Sequence, residues 1–220
     1  MELFTSEGCS SCPPADRLLA TLERTHANSA DVIALEEHVD YWDHLGWRDP
    51  FSSPEFTARQ QRYTELLRVP SPYTPQMVID GHQECVGNDA GCVRAEIGRA
   101  SQDPKIEVKL QVKERSNDKV LLSVQVAAAR RPAEIVLAIT ETGLSSDVQH
   151  GENAGHNLAH AAVVRSLASI GKLKAGETFS AEPAIQIARE WNRENVRAVV
   201  FLAERGSDRV LGAAEIPVGR

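Results

Sequence analysis

Two cysteines, Cys9 and Cys12, are separated by two serines in the stretch FTSEGCSSCPPAD (Phe4 to Asp16), and all four cysteines of the chain lie in its first half. A pair at that spacing can close a disulfide across the first turn of a helix, with the first sulfur attacking and the second resolving a mixed disulfide. The same two thiols could instead be half of a metal site or a permanent staple. Two more cysteines follow at Cys85 and Cys92. Four thiolates suffice for zinc, but the second pair is spaced poorly for a zinc arm. A disulfide from Cys85, on a strand, to Cys92, in the next helix, is the better expectation, provided the Cα atoms lie within ~7 Å. No metal or other cofactor is assigned.

A second concentration of chemistry lies in HVDYWDHLGWRDPF, from His38 to Phe51. Trp42 and Trp47 would form an amphipathic wall able to receive an apolar substrate. His38 and Asp40 end a strand on the side where ligands gather in α/β sheets, so all four are candidate substrate-binding residues. His38 could relay a proton for a thiol, or hold copper(I) together with Cys9 and Cys12. Asp43 and His44 are read as structural. Further on, His150, Glu152, His156 and His160 cluster in GENAGHNLAH and just before it. His156 and His160 would share a face only on a helix. The segment reads as a loop entering a strand, with Glu152 and Asn153 bonding backbone in a turn. No Gly-x-Ser-x-Gly and no phosphate loop accompanies the serines and histidines, which excludes the hydrolase and NTPase readings.

These residues need elements to position them. MELFT reads as a strand, and Pro14 to His26 carries Leu18, Leu19 and Leu22 at helical spacing. Pro13 and Pro14 fall in the first turn, where backbone N–H groups lack intrahelical partners, so they mark the helix start. They also delete donors that would stabilise a Cys9 thiolate, predicting a moderately reactive pair. DVIALEEHV is a buried strand. Ser53-Pro54-Glu55 starts a helix running to about Arg68, TPQMVID and QECVG are strands joined at Asp80-Gly81, and a last helix spans about Asn88 to Ser101. The order is β-α-β-α-β-β-α.

After Asp103-Pro104 the texture becomes period-2 alternation with regular turns, as in KIEVKLQVKE, KVLLSVQVAAA and RAVVFLAE. The expected organisation is an α/β domain over residues 1–103, with a mixed sheet and helices on both faces, followed by an all-β sandwich-like domain over 104–220.

A chain of 220 residues, 42% hydrophobic and 25% charged, has the material for such cores. A net charge of −7, spread without blocks, argues against nucleic acid or an anionic membrane as the main partner. No apolar run approaches the ~20 residues of a membrane span. The chain opens inside a strand, which points to an upstream segment removed in processing.

The element order, with CSSC after the first strand and TPQMVIDG before the hairpin, resembles the thioredoxin-like superfamily. More closely, ELFTSEGCSSCPPAD, HVDYWDHLGWRDPFSSPEFTARQQRY and GENAGHNLAHAAVVRSL resemble domain-of-unknown-function family 1223. The resemblance implies a thioredoxin-like domain before a β-rich domain in an exported, periplasmic or secreted protein. It makes Cys9 and Cys12 the redox pair, and Thr74 with Pro75, as a cis-proline, the substrate platform. The alternative for Pro75 is a simple Pro-rich loop with Pro70 and Pro72. The expected function is thiol–disulfide exchange with a protein or small-thiol partner. The alternatives are a binding protein with a structural disulfide, and a copper-handling protein.

Overall fold

A computed structural model describes residues 1–23, 31–116 and 118–219. The chain forms two compact units, Met1–Asp103 with Thr142–Val164, and Pro104–Glu141 with Arg165–Arg220.

The elements before Pro104 are β1 (Glu2–Thr5), α1 (Pro13–Glu23), β2 (Leu35–His38), α2 (Pro54–Leu66), β3 (Gln76–Ile79), β4 (Gln83–Val86) and α3 (Ala90–Ala100). After it come β5 (Val108–Arg115), β6 (Lys119–Val126), β7 (Ala133–Glu141), β8 (Leu144–Asp147), β9 (Asn157–His160), β10 (Val163–Leu173), β11 (Phe179–Ala181), β12 (Ala184–Gln186), β13 (Val196–Glu204) and β14 (Val210–Pro217). The first helix was expected to reach His26; residues 24–30 lie outside the described residues.

The expected α/β thioredoxin-like domain with helices on both faces, followed by an all-β sandwich-like domain, is not what the chain forms. The described structure is mostly β, about 40% strand to 18% helix, with three α-helices and a largest sheet of eight strands. The physical reason is that periodicity is read locally, whereas units need not be contiguous in sequence. Thr142–Val164 belongs to the first unit and adds the β8–β9 hairpin and the start of β10 to it. The short strands β8, β9 and β11 also sit in segments whose polar, Gly-containing composition reads as loop.

In the first unit, β1 pairs parallel with β2 (Glu2↔Leu35 to Thr5↔His38) and antiparallel with β3, which pairs antiparallel with β4. Val163 of β10 pairs parallel with Glu36 of β2. Strand alternation sends Leu3 to a core with Leu19 and Leu22 of α1 and Val93 and Ile97 of α3, and Phe4 to a core with Val78 and Tyr63 of α2. The helix starts follow from local chemistry. Pro13 opens α1, whose first N–H bonds run from Ala15 and Asp16 to Cys12 O at 2.8 and 3.2 Å. Ser53 caps α2 by accepting from Glu55 N, and Asp89 caps α3 by accepting from Gly91 N and Cys92 N.

In the second unit, β13 pairs antiparallel with β7 and with β14, while β5, β11 and β12 all pair antiparallel with β6. Alternate residues of β6 (Val120, Leu122, Val124, Val126), β7 (Ala133, Ile135, Leu137, Ile139) and β13 (Val196, Ala198, Val200, Leu202) enter one core.

β2 carries charge where a buried strand would carry Val or Ile, and Glu37 is buried with both carboxyl oxygens lacking a hydrogen bond. Its neighbourhood explains this. Arg59 of α2 donates through Nε to Glu2, lies 3.6 Å from Glu37 Oε1, and donates through Nη2 to Tyr63 OH at 3.1 Å, while Tyr63 OH donates to Glu2 Oε1 at 2.6 Å. Burial, then the Glu2 charge, pushes the Glu37 carboxyl well above the usual carboxylate range, which favours its neutral form. Arg59 is thus the cation that lets Glu2 stay ionised in the interior. Arg59→Met is expected to cost about 3–5 kcal/mol, read as a lower denaturant midpoint with an unchanged slope, because Glu2 is left buried without its counter-charge.

Candidate functional site

The loop from Ser6 to Cys12, between β1 and α1, folds on itself through Gly8 N to Ser6 Oγ, Cys9 N to Ser6 O and Cys12 N to Cys9 O, each 3.1 Å. Cys9 and Cys12 form a disulfide with Cα atoms 5.4 Å apart, and Cys85 and Cys92 form another at 6.1 Å. Both residues of the first pair are buried, 1% and 0% exposed, while Ser10 and Ser11 between them face solvent. Ser11 Oγ lies 3.3 Å from Cys9 Sγ.

Two further segments meet this loop. The Thr74–Pro75 peptide is cis, and Pro75 O accepts from Gly87 N at 2.8 Å. A Cβ on Gly87 would lie 2.9 Å from Pro75 Cβ and 3.2 Å from Ala15 Cβ, so Gly87 lets Pro75 pack at the start of α1. Trp42 Nε1 donates to Thr74 Oγ1 at 2.9 Å, and a Cβ on Gly8 would come within 3.0 Å of Trp42 Cβ. Cys9, Cys12, Thr74, Pro75 and Trp42 are therefore brought together.

The other expected residues separate from them. Asp40 turns to α2, where its Oδ1 accepts from Thr57 Oγ1. Trp47 Nε1 donates to Glu7 Oε2 at 2.7 Å. His38 gives Nδ1 to Asp49 Oδ2 at 2.7 Å and places Nε2 3.3 Å from Glu36 Oε1, so neither nitrogen serves the cysteines. His44 is exposed, and Asp43 accepts from Ser52 Oγ.

What His38 joins is a buried polar chain that sequence reasoning did not assemble. Glu36 Oε1 also receives His160 Nδ1 at 2.7 Å, and Glu36 Oε2 accepts from Ala161 N at 2.9 Å. His160 Nε2 lies 3.2 Å from Glu7 Oε1, and Glu7 N donates to Asp49 Oδ2 at 2.8 Å, closing a ring of contacts. The two imidazoles lie edge to face at 4.8 Å between centroids, with Phe51 against both. The chain reaches the disulfide loop through Asn153, whose Nδ2 donates to Glu7 O and Cys9 O at 2.8 and 3.0 Å, and Glu152 accepts from Ser10 N at 3.0 Å. One signal for it was legible: LEEH places two carboxylates and an imidazole in a strand between apolar segments. Nothing local ties His160 to it.

Electrostatics follow from burial and these contacts. Burial alone would lower His38, but Asp49 and Glu36 hold it well above its ordinary value. Burial likewise opposes the Glu36 and Glu7 hydrogen bonds on His160, which bring it to about 9. Against the burial penalty, His160 and His38 keep Glu36 below the usual carboxylate range, and His38 does so for Asp49. Asp16, one turn after Cys12, accepts from Thr5 Oγ1 at 2.7 Å. Burial, then the Glu36 charge, raises it from 3.8 to about 7.

The profile of a family described as "Protein of unknown function (DUF1223)" matches residues 1–203. The chain belongs to this family. The DUF1223 chain is similar to a protein from Agrobacterium tumefaciens whose crystal structure is known, at 27% identity and TM-score 0.75, covering 100% of this chain and 93% of that one. It is also similar, far more distantly, to a domain of the outer membrane lipoprotein Omp28 from Porphyromonas gingivalis, at 12% identity and TM-score 0.34, covering 53% and 91%. No curated protein matches it. Among the described residues no helix is long and apolar enough to cross a membrane. The two disulfides are compatible with an exported protein.

Asp16 gives a test with a defined sign. Its folded-state value exceeds the unfolded one, so the folded state binds the extra proton and this group's contribution is lost as pH rises from about 4 to about 7. Asp16→Asn, which keeps an acceptor for Thr5, is expected to gain stability relative to wild type across that window, by a few kcal/mol at its upper end. Denaturant titrations at pH 4 and pH 7.5 measure it; a difference independent of pH would refute the assignment.

Proposed function

We propose that this DUF1223 protein is an exported thiol–disulfide exchange protein, with Cys9 as the sulfur attacked or attacking and Cys12 as the resolving sulfur. The observation that carries the reading is the Cys9–Cys12 disulfide at the start of α1, with the Thr74–Pro75 edge and Trp42 gathered beside it. That arrangement offers a reactive bond and a backbone edge with an aromatic wall against which a partner chain can lie. Disulfides persist in the oxidising compartments to which an exported protein is sent.

The exchange balances without a cofactor. A partner thiolate attacks Cys9 Sγ, the Cys9–Cys12 bond breaks, and Cys12 leaves as a thiolate that takes up a proton. A second partner thiolate then attacks the partner's own sulfur in the mixed disulfide and releases Cys9. Two electrons pass from the partner dithiol to the pair; the reverse sequence oxidises the pair and reduces a partner disulfide.

The helix end does little to acidify Cys9. Pro13 and Pro14 have no N–H to offer, the N–H of Cys12 is bonded to Cys9 O, and that of Ser10 is bonded to the Glu152 carboxylate. Ser11 Oγ remains as a donor, and Glu152 adds a negative charge nearby. A moderately reactive thiol follows. A second reading, a permanent staple in a binding protein, is favoured by one observation, the near-complete burial of both cysteines.

Trapping separates the two. Cys12→Ser, unable to resolve, is expected to accumulate mixed disulfides with a dithiol-containing protein or with glutathione, visible by mass on non-reducing gels. Cys9→Ser is expected to accumulate none. If neither variant is trapped and the wild type catalyses no insulin reduction or thiol oxidation in any redox buffer, the staple reading holds.

A further inference from the structure

The contacts around Glu36 bring three metal-ligating side chains together. Asp49 Oδ2, 2.7 Å from His38 Nδ1, engages that nitrogen, which leaves Nε2 as the one turned toward Glu36. That Nε2 is buried and makes no hydrogen bond; the nearest oxygen, Glu36 Oε1 at 3.3 Å, is itself an acceptor. On the far side, His160 Nε2 lies 3.2 Å from Glu7 Oε1, and its Nδ1 reaches the same Glu36 oxygen at 2.7 Å, where a metal ion would replace the shared proton. Two imidazole nitrogens and a carboxylate oxygen, at most 1% exposed, thus face one another, and once those nitrogens carry no proton they form a ready ligand set for a cation.

We propose that His38 Nε2, His160 Nδ1 and Glu36 Oε1 bind a divalent first-row ion, zinc above all. These three residues each offer a ligand atom within 4.8 Å of the others. A tetrahedral zinc ion with bonds of ~2.0–2.1 Å holds its ligand atoms roughly 3.4 Å apart. The His38–Glu36 pair already has that separation, and the His160–Glu36 pair reaches it by opening a little over half an ångström. Every ligand has the outer partner that metal sites use to fix a tautomer: Asp49 behind His38, Glu7 behind His160, and Ala161 N on the second oxygen of Glu36. Two imidazoles and one carboxylate form a borderline donor set suited to zinc rather than to calcium or magnesium, and three protein ligands leave one position open. This site is independent of the exchange chemistry at Cys9 and Cys12.

Because the ligands are buried, loading is done by refolding. The oxidised protein, with both disulfides intact so that no thiolate competes, is unfolded in chelator and refolded with equimolar zinc sulfate or with chelator alone, then gel-filtered. The expected result is one zinc per chain by elemental analysis, with a melting temperature above that of the chelator-refolded protein. Glu36→Gln keeps an acceptor for Ala161 N and supplies an amide donor to the imidazoles, so it is expected to fold and to retain less than a tenth of the wild-type zinc. Asp49→Asn keeps all three ligands and is expected to weaken zinc 10- to 100-fold, which preserves the test if the first variant does not fold. Wild type retaining less than a tenth of an equivalent, or both variants binding zinc as wild type does, overturns the proposal.

Discussion

A single carboxylate, Glu36, sets the arrangement of the first unit. A charged side chain in the interior must be met by donors or cations, at a cost of several kcal/mol otherwise. The partners that meet it come from far along the chain: His160 Nδ1 and Ala161 N on its two oxygens, with His38 from its own strand. Its backbone N–H is also taken by Ala162 O. Satisfying one residue of β2 therefore draws Thr142–Val164 into the first unit, although that segment follows three strands of the second. Once there, the segment supplies Asn153 and Glu152, whose side chains bond the loop that carries Cys9.

The disulfide loop is thus built on a polar interior rather than on an apolar one. Glu7 links the two levels: its carboxylate meets His160 and Trp47 while its carbonyl accepts from Asn153. This has a consequence for chemistry at Cys9. The loop is held by the Asn153 and Glu152 side chains, and its exposed residues are Ser10 and Ser11. Such restraint suits a preorganised exchange site, where the partner and not the protein adjusts, and it equally suits a staple. Electrostatics lean the same moderate way, since both prolines and Glu152 limit how well a thiolate is stabilised.

What the sequence disclosed and withheld follows from how far each feature reaches. The start of α1 at two prolines, the Ser53-Pro54 start of α2 and the alternation of β6, β7 and β13 are local consequences of backbone sterics and side-chain period, and they are legible residue by residue. The proportion of strand, and the membership of Thr142–Val164, depend on pairings between segments more than a hundred residues apart. Charge in the LEEH strand was visible, but its meaning depends on which side chains arrive opposite it. His38 shows the limit well: its type and its place at a strand end signal reactivity, yet whether it faces a thiol or a carboxylate is decided by the distant Asp49 and His160.

The central claim is that Cys9–Cys12 is a working couple rather than a staple. Its reduction potential, measured by equilibrating the pure protein in glutathione buffers and quantifying the two thiols while Cys85–Cys92 is monitored separately, tests that most directly. The account predicts a value above about −300 mV, within reach of cellular thiol partners. A value well below that, with the pair closed in every glutathione buffer, would contradict it.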